Sequence, residues 1–479
     1  MIFNLSEQIK IIILFLVFLF IYQFFDLNDQ LNLFDYKIKF IAIYLYFFLT
    51  FGAVTVSFYL RNNNYINPNL NFKSVLIFLI ITIVIISSIK LMTYDYINKY
   101  TITGVNEHRA THWLTTYQDF GFIKRSLVGS VYTYIFQSKP SFLGIFITSL
   151  IILFIKVILI LYLTIKVLKN NKNNLIFLSI SFFITSPYFI YFYLSDLSRF
   201  DQINNLIMLF CIFFILNLKS SINFLLISFL ICIAILIHES FILLQMPFIF
   251  FLLMIEIFNS NNKLYDKEKL LHSSIIFFFV LLITYLIIFF GYPEDFDIDY
   301  MYLKIGHVKS FEIRKDVLET FFYIPWNDLP IFERIINFFK LDGELPYILL
   351  IIDFIVNNFP FLISNIFLLH LLNKNFKSVN FKLNYIIYLV VLFPLIVSIL
   401  ITFNDYYRVF ATVTLLIFLS NIIYTYKYSY IDYQISNSKF SLFLIFGLAY
   451  NFFIIGITTI TAYSSSSISP FLFLLQKFI

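Results

Sequence analysis

The sequence has little of what a water-soluble protein needs on its surface: only 13% of its 479 residues are charged, against 61% that are hydrophobic. Soluble domains carry about a quarter charged residues, so that shortage excludes them, and the mean hydropathy of +0.89 points the same way. Cysteine is nearly absent. Cys211 and Cys232 are the only two, and both stand in apolar runs, where they behave as small hydrophobes; no disulfide framework or cysteine metal site is expected. The sequence has no Walker loop, dinucleotide fingerprint, HExxH or zinc spacing, so nucleotide machinery and cofactors are not implied. No repeat of fixed period runs through it, and the Ser464 to Ser467 run is too short to act as a linker. Few glycines amid abundant Phe, Ile, Asn, Tyr and Lys is what an AT-rich gene encodes, which favours a bacterial source.

What is present is apolar sequence in lengths of about 20 residues, recurring from end to end. The reading is an all-α, polytopic transmembrane bundle of about thirteen spans, a single integral membrane domain over 1–479 with no separate soluble part. Candidate spans are 8–25, 38–60, 73–93, 142–165, 174–194, 202–218, 220–237, 240–257, 272–291, 347–371, 383–402, 409–426 and 440–462. The first is read as a retained helix, since no small-residue cleavage site follows it. The stretch from Ser220 to Phe258, at about 1.5 Å per residue, is roughly twice a bilayer core. Two helices joined by a tight turn at His238 and Glu239 solve that mismatch and bring both ionisable groups near an interface.

The formal charge of +6 reports orientation and not nucleic-acid binding, because many lysines cluster in short loops between apolar runs. Loops holding Lys166, Lys169 and Lys172, then Lys219, then Lys263, Lys267 and Lys269, then Lys374, Lys377 and Lys382 come at alternate positions and are expected inside. That alternation puts the N-terminus in the cytoplasm and the C-terminus outside, in a bacterial inner membrane. It also makes the two longest loops, 94–141 and 292–346, external.

Four groups of polar residues fall on this external face. The first long loop carries Glu107, His108, Arg109, His112, Trp113 and Asp119, then Lys124 and Arg125 ahead of Leu127 to Gln137. That last segment is apolar but too short to span, as expected of an interfacial or re-entrant helix. Lys124 and Arg125 at its N-terminal end would favour a phosphate, or would anchor the helix in lipid headgroups. The second group is Asp196-Leu-Ser-Arg199-Phe-Asp201, either a local ion-pair knot or an arginine fork held for phosphoryl oxygens beside a carboxylate. The third is His238-Glu239, where a carboxyl at a membrane boundary needs a cationic partner and either group can serve as a general base. The fourth is Asn404-Asp405-Tyr-Tyr-Arg408: Arg408 at a helix N-terminus needs an anion, which Asp405 or a bound diphosphate would supply. The longest loop adds Glu294, Asp295, Asp297, Asp299, His307, Arg314, Trp326 and Arg334. Its acidic run is read as solvated rather than as a metal site.

In size, span count, a large external loop and scattered external arginines, the chain resembles the Wzy-type O-antigen and capsule polymerases. It is also similar to the GT-C membrane glycosyltransferases, although the loop 26–37 after the first span is shorter than theirs. The polymerase resemblance implies a glycosyltransferase-type enzyme that transfers a growing glycan from one undecaprenyl diphosphate to the sugar of another, making lipopolysaccharide or capsule. Lys124, Arg125, Arg199, Arg408 and Asp405 would bind substrate, with Glu239, His238, Asp201 and Asp119 as the candidate acids and bases. The implied partners are undecaprenyl diphosphate-linked glycans and membrane lipid, with a chain-length regulator protein as a further candidate and no nucleic acid. The competing class is a flippase for lipid-linked oligosaccharide, which needs polar groups along a path through the membrane; Lys156 and Asp353 are the main ionisable candidates.

Overall fold

The computed structural model describes residues 107–170, 174–195, 197–217, 221–258, 267–291, 297–306, 313–322, 352, 354–375, 390–394, 406–428, 443–444, 446–448 and 450–451. Every element named among them is helical: α1 (Glu107–His112), α2 (Tyr117–Phe120), α3 (Leu127–Phe136), α4 (Phe142–Asn170), α5 (Asn174–Thr185), a π turn (Pro187–Tyr191), α6 (Phe192–Ser195), α7 (Phe200–Leu216), α8 (Ser221–Ile237), α9 (Phe241–Leu244), α10 (Met246–Phe258), α11 (Lys267–Phe290), α12 (Ile298–Ile305), α13 (Lys315–Phe322), α14 (Phe359–Asn375) and α15 (Tyr406–Tyr428).

Three of these are long and apolar enough to cross a membrane: Phe142–Leu168 within α4, Leu270–Phe290 within α11 and Arg408–Tyr426 within α15. A fourth span results if the bent pair Leu175–Thr185 and Pro187–Leu194 counts as one. The described residues therefore carry a helical membrane protein with fewer full-length spans than the sequence reading assigned to them. Helices α7, α8 and α10 occupy assigned spans but are shorter than the 18 residues of a full-length candidate. The spans 8–25, 38–60 and 73–93, and most of 383–402 and 440–462, lie outside the described residues.

The spans differ in what surrounds them. Residues Leu143, Ile147, Ile151, Phe154, Ile158 and Tyr162 recur every third or fourth position along α4 and are exposed, the stripe a lipid-facing helix presents. By contrast, 89% of the α15 span is buried inside the protein, so α15 is central. Helices α7 and α8 pack on each other, α8 on α11, and α4 on α7 and α15.

The fifth predicted span is broken. Pro187 has no N–H to continue the ladder of α5, and the chain bends by 40° there. Ser186 compensates by accepting from the Tyr188 N–H and donating to Asn358 Oδ1 at 2.6 Å. Asn358 donates to Thr414 at 2.9 Å, Ser179 donates to Asn365 at 2.7 Å, and Asn421 also donates to Asn365. These bonds tie α5, α14 and α15 together as interhelical polar contacts do in lipid. The sequence reading, which counted charges, passed over these amides.

Lys156 lies fully buried in α4 with its Nζ 3.0 Å from the centroid of the Tyr193 ring. The electron-rich face of that neutral ring is its neighbour, and its Nζ has no hydrogen-bond partner among the described residues. Asp353, the other interior candidate, lies outside the described residues.

Candidate functional site

The two long loops and a short one meet above the bundle. Leu114, Phe120 and Ile123 from the first loop form a small core with Met301, Ile305, Ile313, Leu318 and Phe321 from the other long loop. Thr111 Oγ1 accepts from the Arg314 N–H at 3.3 Å, and the Lys124 N–H donates to the Gly291 carbonyl at 2.9 Å. Buried Trp113 donates its indole N–H to the Ser198 carbonyl at 2.8 Å, joining the turn that precedes α7. These contacts set where Lys124, Arg125 and Asp201 stand.

The turn at His238 arises where the length of 220–258 demanded one: α8 ends at Ile237 and α9 begins at Phe241. Asn204, one turn along α7 from Asp201, steadies the turn by donating to the His238 carbonyl at 3.2 Å. Ser240 Oγ reaches Asp201 Oδ1 at 3.4 Å. Beneath, Gln202 donates to the Tyr193 carbonyl, Asn205 donates to the Tyr193 hydroxyl at 2.9 Å, and Gln245 donates to Asn205 at 3.1 Å. A run of polar residues on the first turns of an otherwise apolar helix, Asp201-Gln-Ile-Asn-Asn205, was the available signal for this floor.

On that floor sits a chain of charges. The Arg125 guanidinium donates to both oxygens of Glu239, with Nε 3.1 Å from each and a further short bond from Nη2. His238 follows, its Nδ1 3.5 Å from Glu239 Oε2 and its Nε2 3.4 Å from Arg408 Nη1. Arg408 then lies 3.7 Å from Asp201 Oδ2. The side chains of Arg125, Glu239, Arg408 and Asp201 are 16%, 26%, 11% and 7% exposed, so the group is largely desolvated, and charge–charge contacts within it count for more than at an open surface. Arg125 has a left-handed backbone with φ +64°, which is unusual for a residue with a side chain.

Burial alone would raise the Glu239 carboxyl, but Arg125, His238 and Lys124 together hold it well below the usual carboxylate range. Burial, then the Arg125 charge, pushes the His238 imidazole down to about 4, so it is neutral at physiological pH. Burial also pushes buried Lys124 down to about 8, opposed by Glu239 and reinforced by Arg125. The group thus offers two guanidinium forks, an ammonium near its titration point, two carboxylates and one neutral imidazole. Such a set has the chemistry to bind an anion and to accept a proton.

Not every expected residue joins. Asp119 is drawn into its own turn: Thr116 Oγ1 accepts from its N–H at 3.1 Å and donates to its carboxylate at 2.9 Å, and Lys139 pairs with it at 3.1 Å. A Thr-x-x-Asp capping arrangement explains it locally. Arg199 stands at the cap position before α7, 6.0 Å from the Phe192 ring centroid and two residues from Asp201. Asp196, Asp405, Glu294, Asp295, His307, Trp326 and Arg334 lie outside the described residues. Asp297 caps α12 by accepting from the Tyr300 N–H, Asp299 pairs with Lys315, and Arg314 with Asp316. Among the described residues no three His, Cys, Asp or Glu side chains are grouped as metal ligands would be.

No family model, no curated protein and no solved structure matches the chain.

Proposed function

We propose that the chain is a membrane polysaccharide polymerase of about thirteen spans, which extends surface glycan by transferring a growing chain from one undecaprenyl diphosphate to the sugar of another at the outer face of the membrane. The observation that carries this reading is the chain Arg125–Glu239–His238–Arg408–Asp201. Paired arginines in a desolvated group suit a diphosphate, and the leaving group already holds the energy of the transfer. The protein has to supply positive charge for that leaving group, a base for the acceptor hydroxyl and a defined approach. Arg125, Lys124 and Arg408 have the chemistry for the first task and Glu239 or His238 for the second, with Arg199 close by on the same turn as Asp201.

A strain lacking the gene tests the reading against a flippase, the alternative favoured by the broken α5 span and by Lys156 inside the bundle. A polymerase deletion leaves single repeat units on the surface glycolipid. Loss of all repeat units would mean a flippase, and normal chain-length ladders would end both readings.

Lys124 gives this reading a pH dependence. Its ammonium loses its proton above about 8, and a bound diphosphate holds that proton on. Affinity for farnesyl diphosphate, a short soluble analogue, should therefore be flat below that pH and fall above it, at most about tenfold per pH unit. Titration calorimetry in detergent would read the slope. Lys124→Arg should flatten it, and a wild-type profile level to pH 10 would remove Lys124 from the site.

A further inference from the structure

We infer that His238 is the general base of the transfer, held by Glu239 and covered by Arg408 until a diphosphate draws that guanidinium away. The inference rests on the polymerase reading above and names how its site is switched on.

The contacts around the imidazole decide its tautomer. Nδ1 lies 3.5 Å from Glu239 Oε2 and 3.2 Å from the Ser240 N–H, and Nε2 lies 3.4 Å from Arg408 Nη1. One neutral ring cannot serve all three. If Nδ1 accepts from Ser240, the proton sits on Nε2 and points at a guanidinium, which can only donate. If the proton sits on Nδ1, it faces the Glu239 carboxylate, and the Nε2 lone pair accepts from Arg408. The second arrangement suits both charged neighbours at the cost of the Ser240 N–H bond to Nδ1. A closer approach by Glu239, within reach of a side-chain rotation, turns its 3.5 Å contact into a charge-assisted bond that outweighs one neutral amide contact, about 2.7–2.9 Å being usual for such bonds. It is also the arrangement in which a carboxylate orients an imidazole so that its far nitrogen can take a proton.

Arg408 makes this base conditional. With the proton on Nδ1, the Arg408 guanidinium meets the one lone pair through which the ring could act, and it also approaches Asp201 at 3.7 Å. A diphosphate is a stronger attractor for an arginine fork than an imidazole is. Arg408 moving onto the phosphate oxygens uncovers Nε2 and removes a cation that opposes its protonation. The acceptor sugar O–H then gives its proton to Nε2 while its oxygen forms the bond to the anomeric carbon. The anomeric C–O bond to phosphate breaks, and its electron pair leaves with the polyprenyl diphosphate, beside Arg125 and Arg408. The imidazolium returns the proton to that leaving group or to water. His238 is thus the catalytic residue and Glu239 a positioning residue, whose pairing with Arg125 leaves it a poor base itself.

The test uses the full-length protein in detergent with 15N-labelled imidazoles, the His238 resonances being assigned by their loss in His238→Gln. The expected spectrum shows a protonated Nδ1 and an unprotonated Nε2 at pH 7, with the Nε2 signal moving toward that of a non-bonded imine nitrogen when farnesyl diphosphate is added. His238→Gln should bind farnesyl diphosphate within about threefold of wild type, while glycan ladders in the complemented deletion strain fall by about 100-fold or more. Glu239→Gln should lose the preference for protonated Nδ1, a signal that a purely structural role would not move. If wild type does not bind farnesyl diphosphate, the polymerase reading and this inference fall together. If it binds but the proton is on Nε2, or His238→Gln still builds long chains, the inference falls and the reading stands.

Discussion

The double variant Arg125→Gly/Glu239→Gln is expected to fold at least as well as the parent and to make no long glycan. Arg125 is held at φ +64°, a conformation that costs a residue with a side chain about 1–2 kcal/mol and glycine almost nothing. Removing the side chain alone would leave Glu239 in a largely buried place beside Lys124 without its main partner, and an unpaired buried charge is strongly destabilising. Replacing the carboxylate by its amide at the same time removes that charge. What disappears is the bidentate cation facing the leaving group. Two charge-assisted bonds at about 1.5–3 kcal/mol each predict a loss of about 100-fold or more in affinity for farnesyl diphosphate. The thermal midpoint in detergent should hold or rise, and only monomeric repeat units should reach the surface. A stable double variant that still makes full-length ladders would sink the assignment of this pair. Arg314→Ala is the control: its pairing with Asp316 is exposed and local, where ion pairs contribute about 0–1 kcal/mol, and neither stability nor ladders should change.

Sequence reasoning reached the residue types and their loops, because burying a charge at a lipid boundary is costly enough to mark Arg125, Asp201, Glu239 and Arg408 individually. It reached the turn at His238 and Glu239 through length alone. It did not reach the pairing. Arg408 was expected to need an anion, either Asp405 or a bound diphosphate; Asp405 lies outside the described residues, and among these the structure brings Arg408 within 3.7 Å of Asp201, on a different helix. Asp119 carried the same marks as Asp201, and only the local geometry of Thr116 and Lys139 separates the capping carboxylate from the one in the charged group. Ion-pair partners depend on which helices pack together, and that is a property of the apolar surfaces between them rather than of the charged residues themselves.

The same distinction explains the helices. Runs such as those of α4 and α11 were legible because nothing interrupts them, and their exposed stripes follow from lipid contact. The fifth span looked equally continuous, since a single Pro187 within apolar sequence is compatible with a kinked helix. Its break is sustained by Ser186, Asn358 and Thr414, which are distant in sequence and carry no charge. Polar neutral residues were invisible to a reading that searched for ionisable ones, although in lipid they too need partners.

Gly129→Ala should sharply shorten the glycan without changing any residue of the charged chain. Gly129 lies one turn inside α3, the helix that follows Arg125, and a Cβ there would stand 2.2 Å from the Thr115 carbonyl oxygen and 2.5 Å from that of Trp113. Alanine ordinarily favours a helix over glycine by about 1 kcal/mol. Here the obstructing atoms are backbone, held by the Trp113 indole bond to Ser198, and cannot rotate aside. Overpacking of this kind costs about 1–3 kcal/mol, so the clash wins and α3 must move away from the segment 113–115. Arg125 is two residues before α3 and moves with it, while Glu239 stays on the turn between α8 and α9. The expected result is a thermal midpoint lowered by several degrees, farnesyl diphosphate affinity reduced at least tenfold, and ladders shortened to a few repeat units. Gly121→Ala separates this effect from a general intolerance of alanine in the loop: no atom lies within 4 Å of a Cβ there, but φ is +68°, so it should cost stability through backbone strain alone and leave chain length unchanged in the protein that folds. Full-length ladders in Gly129→Ala would mean that α3 does not position Arg125.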